Sequence, residues 1–143
     1  MGRAVGLALA VLVLFCAPAS AEGLNGRWVG WYICAQGLTG LTLTITGDDQ
    51  SDADHHVEAL FSFHALPDNP SVPSGAFTMH GFHMRDDRLV LNPGEWVERP
   101  GIYETVHLLG RVEGDVLRGN VFFRAAPSLC TVFELRREPG IIS

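Results

Sequence analysis

The sequence contains no lysine, and its ten arginines are outnumbered by sixteen acidic residues. The formal net charge of −6 and the lack of any basic cluster argue against nucleic acid as a partner. Charged residues make up 18% of the chain and hydrophobic residues 47%, which is typical of a folded domain. The 143 residues are enough for one domain whose core requires no metal or cofactor.

The sequence also lacks the short motifs of the common catalytic mechanisms. It contains no G-x-S-x-G, no H-E-x-x-H, no glycine-rich phosphate loop and no dinucleotide-binding fingerprint. We therefore predict a protein without catalytic residues and without a cofactor. An enzyme ranks third among the possible functions, after a binding protein and a protein–protein module.

No hydrophobic run reaches the roughly 20 residues that a membrane-spanning helix needs. The longest run, residues 5–15, follows Arg3 and precedes the small residues Ala19, Ser20 and Ala21. This pattern predicts a secretory signal peptide over residues 1–21 and one mature domain over residues 22–143, periplasmic or secreted, with no membrane span. A lipoprotein signal ending at Cys16 is the alternative, which the bulky Phe15 before it disfavours.

Cysteine is scarce, with three residues in the chain. Removal of the predicted signal peptide would leave Cys34 and Cys130, and two cysteines in an oxidising compartment usually pair. A redox or zinc site would need a C-x-x-C spacing or further ligands, and neither accompanies these two residues. We predict a disulfide between them.

The rest of the chain alternates apolar and polar residues with period two, and no segment shows a helical stripe. We predict an all-β, antiparallel up-and-down barrel, because closure of eight strands removes exposed sheet edges. The predicted strands are residues 28–34, 41–46, 57–64, 77–84, 88–91, 105–112, 116–123 and 129–136. The inward positions include Leu41, Leu43, Ile45, Phe61 and Phe63, which would line a hollow interior or fill a solid one.

Three longer connections interrupt the strands, namely residues 47–56, 66–75 and 92–103. The third is flanked by prolines and is the candidate ligand-binding segment, because aromatic residues and arginine are favoured in binding hot spots. Its candidate residues are Glu95, Trp96, Glu98, Arg99 and Tyr103. Two interpretations of Trp96 stay open, an exposed anchor for a ligand and a plug of one barrel end.

The first connection is acidic and ends in two histidines, so it holds the candidate metal ligands. These are Asp52, Asp54, His55 and His56. Carboxylates and imidazoles together can bind a divalent ion, but polar residues also collect at solvated loop tips. We expect the solvated loop and predict no metal. His80 and His83 are three residues apart on a strand and therefore point to opposite faces.

The first strand begins with Gly26, Arg27 and Trp28, which resembles the G-x-W start of lipocalin-like (calycin) barrels. The resemblance implies that Trp28 lies across one barrel end beneath an arginine from the last strand, either Arg136 or Arg137. Residues 32–137 also resemble a bacterial exported β domain of unassigned activity. That resemblance is carried by Cys34, residues 37–41, Pro67, residues 69–70 and 73–75, Pro93, Trp96, residues 99–100, Gly110, residues 117–119, Cys130 and residues 133–135.

These observations predict an exported, non-catalytic binding protein with contacts on the barrel mouth and the long loops. Its ligand would be a small apolar molecule, an envelope glycan or another protein. The alternative is a protein–protein module, such as an inhibitor of an envelope or extracellular enzyme. The proline-rich connection 66–75 would suit insertion into a partner's cleft, because a stiff loop loses little entropy on binding.

Overall fold

Eight strands follow one another along the chain and pair in sequence order. A computed structural model describes residues 2–14, 23–49, 51 and 53–140. The strands are β1 (Gly26–Cys34), β2 (Gly37–Thr46), β3 (His55–His64), β4 (Gly75–His83), β5 (Arg88–Glu98), β6 (His107–Glu113), β7 (Val116–Phe122) and β8 (Val132–Arg137). Every neighbouring pair is antiparallel and β1 also pairs with β8, so the predicted closed up-and-down barrel is confirmed.

The N-terminal segment is only partly described. Residues 2–14 adopt no regular secondary structure, and residues 15–22, with the predicted cleavage site and Cys16, lie outside the described residues. In the part of the chain that the structure describes, no helix is long and apolar enough to cross a bilayer.

The barrel interior is filled by the inward-facing residues of all eight strands. The predicted inward residues Leu41, Leu43, Ile45, Phe61 and Phe63 are all buried. They belong to one continuous hydrophobic cluster. The interior is therefore a packed core over most of its length, which the period-two pattern left undecided.

The fifth strand is longer than the sequence pattern predicted. β5 extends from Arg88 to Glu98, so the connection placed at residues 92–103 is wrong over its first half. Pro93 has no N–H to donate and lies beside irregularities in the pairing of β4 with β5. The Thr78 hydroxyl accepts a hydrogen bond from the Glu95 amide at 2.9 Å, and Phe77 pairs with Trp96. Because of these contacts with β4, β5 continues beyond Pro93.

One end of the barrel, which we call the base, is closed by Trp28. The Trp28 side chain is fully buried, and its Nε1 donates a hydrogen bond to the Leu24 carbonyl at 2.9 Å. The guanidinium of Arg137 lies 4.3 Å from the centre of the indole ring. Of the two arginines that the lipocalin-like resemblance implied, the structure therefore selects Arg137, while Arg136 is exposed.

The other end, which we call the mouth, carries the predicted disulfide. Cys34 at the end of β1 is bonded to Cys130, which lies between the 3₁₀ turn Pro127–Leu129 and β8. The Thr131 amide donates a hydrogen bond to the Ile33 carbonyl at 3.0 Å beside it. The disulfide thus fastens the segment that enters the last strand to the end of the first strand.

Removing the disulfide should destabilise the barrel. The bond joins residues 96 positions apart, so its loss enlarges the conformational freedom of the unfolded chain. We expect the double variant Cys34→Ser, Cys130→Ser to lose about 2 to 4 kcal/mol of unfolding free energy in urea titrations. Reduced wild-type protein is the control and should match the variant, and equal midpoints for oxidised and reduced protein would contradict the prediction.

Replacing Arg137 should weaken the base. Its guanidinium covers Trp28 and donates hydrogen bonds to the carbonyls of Gly23 and Asn25. We expect Arg137→Met to cost about 1 to 3 kcal/mol of unfolding free energy, measured by chemical denaturation. The neighbouring exposed arginine gives the matched control, and Arg136→Met should stay within about 0.5 kcal/mol of wild type. Equal losses in both variants would refute this role of Arg137.

Candidate functional site

A partly open cavity of about 160 Å³ lies at the mouth, above the packed core. Its lining is mostly aromatic and aliphatic, and it comes from the mouth ends of several strands and from the connections between them. The lining residues are Tyr32, Cys34, Ala35, Gln36, Phe61, Phe63, Phe77, Tyr103, Glu104, Val106, Phe123, Leu129 and Cys130. The cavity is therefore an apolar recess whose floor is the core and whose wall includes the disulfide.

Aromatic rings pack against one another around this recess. Phe61 and Phe77 stack with centroids 4.6 Å apart, and Tyr32 meets Phe61 edge to face at 5.1 Å. Nearer the opening, Phe63 stacks on Tyr103 at 5.7 Å. Edge-to-face and offset-stacked pairs are the arrangements that aromatic rings prefer, so these contacts hold the wall in one shape.

A few polar groups stand among the apolar lining residues. The side-chain amide of Gln36 donates a hydrogen bond to the Tyr32 hydroxyl oxygen at 3.0 Å. Burial raises the pKa of Tyr32 well above its ordinary value, so its hydroxyl stays protonated. The Glu104 carboxylate accepts a hydrogen bond from Arg99 at 3.2 Å. The recess can therefore offer a ligand neutral hydrogen-bonding groups in its wall and an ion pair at its edge.

The five predicted ligand-binding residues divide between the end of β5 and the loop that follows it. Tyr103 lines the cavity. Trp96 is partly buried and packs edge to face against Phe77 at 5.2 Å, with the Arg99 guanidinium 5.7 Å from its ring centre. The other two, Glu95 and Glu98, are exposed on β5. The structure thus brings the aromatic pair and Arg99 to the mouth and leaves the two carboxylates outside the recess.

The proline-rich connection 66–75 is held against the barrel. The side-chain amide of Asn69 donates hydrogen bonds to the carbonyls of Gln36 and Leu38 at 2.8 and 3.0 Å, and Val72 is buried. The backbone amide of Asn69 donates a hydrogen bond to the Leu66 carbonyl at 2.9 Å, which closes a turn. This segment buttresses the β1–β2 turn, which forms part of the mouth.

A second cluster of polar side chains lies at the base. Asp48, His55 and His83 place one ligating atom each within 4.8 Å of one another. The Asp48 carboxylate is buried, accepts a hydrogen bond from the Leu24 amide and contacts His55 Nε2. Asp48 therefore differs from the solvated loop residues that the sequence predicted around it.

Two other predicted metal candidates, Asp54 and His56, lie apart from this cluster. Asp54 accepts a hydrogen bond from the Arg85 amide at 2.9 Å, and His56 is exposed with its ring against Phe82. Asp52 lies outside the described residues. Of the three candidates that the structure describes, His55 alone joins the cluster, and its partners Asp48 and His83 were not among the predicted ligands.

The pKa of His55 is shifted by its hydrogen-bond contacts. Its Nδ1 lies 2.9 Å from the Ala53 carbonyl, and this contact is the largest cause that raises the pKa of His55 above its ordinary value. The Asp48 carboxylate raises it further, while burial acts in the opposite direction. The surroundings of His55 therefore stabilise positive charge next to this ring.

Several residues of the mouth were not among the predicted site residues. Tyr32, Ala35 and Gln36 flank Cys34, and Leu129 precedes Cys130. A disulfide brings the neighbours of both cysteines together, so the cysteine pairing was the signal that would have located this wall.

Comparison with protein-family models, with curated proteins and with solved structures gave no match.

Replacing Trp96 should lower stability because its ring packs on the core. We expect Trp96→Ala to lose about 2 to 3 kcal/mol of unfolding free energy, below the range for a fully buried tryptophan, since the ring is partly exposed. Chemical denaturation measures this loss. The adjacent Val97 is 66% exposed, and Val97→Ala should stay within about 0.5 kcal/mol of wild type. A stable Trp96→Ala protein would favour the exposed-anchor interpretation instead.

Proposed function

We propose that this chain is an exported, non-catalytic binding protein that takes an apolar group into the recess at its mouth. The observation that carries the proposal is the recess itself, a cavity of about 160 Å³ with an aromatic lining and a few polar groups. Binding sites for small molecules have this composition, because apolar walls supply affinity and a few polar groups fix orientation.

The size of the recess limits what it can accept. An apolar protein cavity of roughly 150 Å³ holds a benzene-sized molecule. Because the core fills the barrel below Phe61 and Phe77, a longer ligand cannot extend inward. We therefore propose that one aromatic ring or a short aliphatic chain enters, and that the rest of the ligand stays at the rim.

The rim offers further apolar surface to such a ligand. Leu129 is 45% exposed at the edge of the recess, and Ile102 is 90% exposed in the loop after β5. Tyr103, in the same loop, lines the recess and stacks on Phe63. A ligand with an apolar end and a polar remainder would match this surface, with Gln36, Glu104 and Arg99 available for hydrogen bonds.

Export of the protein is supported by two independent features. The N-terminal sequence has the pattern of a signal peptide, and the Cys34–Cys130 disulfide is the kind of bond that persists in oxidising compartments. A lipocalin-like relationship is supported by the closed eight-stranded barrel and by Trp28 beneath Arg137. We propose this relationship as the origin of the fold.

A protein partner is the second candidate, and the exposure of Ile102 favours it. Ile102, at 90% exposed, and Leu129, at 45%, add exposed apolar surface to the apolar recess, and such combined patches are suited to contact another protein. In that case a partner's side chain would occupy the recess, and the protein would act as a protein–protein module such as an inhibitor. Both candidates use the same surface, so the test below includes a partner screen.

Placing a charge at the edge of the recess should weaken binding of an apolar probe. We expect ligand-observed NMR titration with indole and with p-cresol to show saturable binding to wild type, weakened about tenfold or more by Leu129→Arg. Leu109 on the outer face has nearly the same exposure, 47% against 45%, so Leu109→Arg is the matched control and should bind normally.

Two results would oppose the small-molecule function. Equal binding by Leu129→Arg and Leu109→Arg would place the probe elsewhere on the protein. No saturation of either probe at millimolar concentration, combined with a partner from envelope extract that binds wild type but not Leu129→Arg, would favour the protein–protein module.

A further inference from the structure

Three side chains from separate parts of the chain converge at the base of the barrel. Asp48 follows β2, His55 is the first residue of β3, and His83 is the last residue of β4. One ligating atom of each lies within 4.8 Å of the others. The two imidazole rings have centroids 5.1 Å apart, and they are directly paired across the β3–β4 ladder. The strand register therefore builds this cluster.

Each nitrogen of His55 faces an oxygen atom that can only accept a hydrogen bond. Nδ1 contacts the Ala53 carbonyl at 2.9 Å, which requires a proton on Nδ1. In the neutral ring Nε2 then carries the lone pair, and Nε2 contacts the Asp48 carboxylate. Two lone pairs that face each other repel, so this contact requires either a proton on Nε2 or a cation that both groups bind.

His83 presents the same arrangement from the neighbouring strand. Its Nδ1 lies 3.4 Å from both oxygens of the Asp48 carboxylate. Its Nε2 lies 3.4 Å from an Asp87 oxygen, yet it is buried and has no hydrogen-bond partner of good geometry among the described residues. Nδ1 is therefore the His83 nitrogen that faces the Asp48 carboxylate and is available to bind an ion shared with His55.

A metal ion explains these contacts better than a proton does. A proton on His55 Nε2 would satisfy the contact of that ring with Asp48, but it would not change the contact of His83 with the same carboxylate. A single divalent cation would bind both lone pairs and the carboxylate together.

The ring nitrogens that point away from Asp48 are His55 Nδ1 and His83 Nε2. Histidines that bind metals usually donate their second N–H to a carbonyl or a carboxylate, which fixes the ring orientation. The Ala53 carbonyl is in this position for His55, while the Asp87 carboxylate lies 3.4 Å from His83 Nε2 without good hydrogen-bond geometry. With Zn–N bonds of about 2.0 to 2.1 Å, tetrahedral ligands lie about 3.3 Å apart, close to the 3.4 Å between His83 Nδ1 and Asp48.

We propose that Asp48, His55 and His83 form a binding site for a divalent transition-metal ion, with Zn²⁺ as its simplest occupant. Two imidazoles and one carboxylate suit zinc and its neighbours, whereas Ca²⁺ and Mg²⁺ prefer all-oxygen sites. Three protein ligands leave a fourth position for water. The ion would fasten the ends of β3 and β4 to the segment after β2, a role separate from ligand binding at the mouth.

Zinc titration of the full chain, stripped of metal with EDTA, tests the site. We expect one Zn²⁺ to bind per chain by calorimetry and the melting temperature to rise at about 100 μM Zn²⁺, because a ligand of the native state stabilises it. His55→Gln and His83→Gln should each weaken binding about tenfold or more. His56→Gln and His80→Gln remove exposed histidines of the same two strands and should bind as wild type.

A second measurement keeps the test valid if a variant folds poorly. Long-range ¹H–¹⁵N NMR of wild type should show the His55 Nε2 and His83 Nδ1 resonances moving on zinc addition, with those of His56 and His80 unchanged. Absence of a melting shift and of these resonance changes at about 100 μM Zn²⁺ would overturn the proposal. Unchanged affinity in a folded His83→Gln protein, or loss of affinity in His80→Gln, would overturn it equally.

Discussion

The pairing of β1 with β8 is the constraint on which the rest of the structure depends. It gives every strand two neighbours and leaves the sheet without an edge. Gly30 permits the close approach, since a Cβ there would lie 2.0 Å from the Glu134 carbonyl oxygen. The register places Trp28 opposite Arg137 at the base and Tyr32 opposite Phe133 towards the mouth. The closure of the barrel therefore brings Arg137 over Trp28 at the base and positions Tyr32 in the wall of the recess at the mouth.

Most of the fold could be predicted from the sequence because its signals are local. Period-two alternation located the eight strands, and the count of cysteines left after the predicted signal peptide identified the disulfide. The end of β5 could not be predicted, because Pro93 and Gly94 are typical of a loop. The strand continues there through contacts with Thr78 and Phe77 on β4, which are set by the tertiary structure.

The candidate sites were less predictable, since their members are distant in sequence. His55 was noted beside Asp52 and Asp54, its neighbours along the chain, whereas the structure pairs its ring with His83 on the next strand. Likewise, Trp96 and Tyr103 are near each other in the sequence, but the recess that Tyr103 lines is also lined by Tyr32, which lies far away along the chain. Composition identified the residue types, and only the strand register could bring them together.

The β3–β4 ladder joins the two ends and fixes both sites by one register. His55 pairs with His83 at the base, Phe61 with Phe77 below the mouth, and Phe63 with Gly75 at the rim. A Cβ at Gly75 would lie 2.4 Å from the Phe63 ring, so glycine leaves that ring room beside Tyr103. A slip of one residue in one of these strands would turn its members of both sites to the outer face together. Substitutions that keep the register change one end alone, so the functions proposed for the two ends can be separated by experiment.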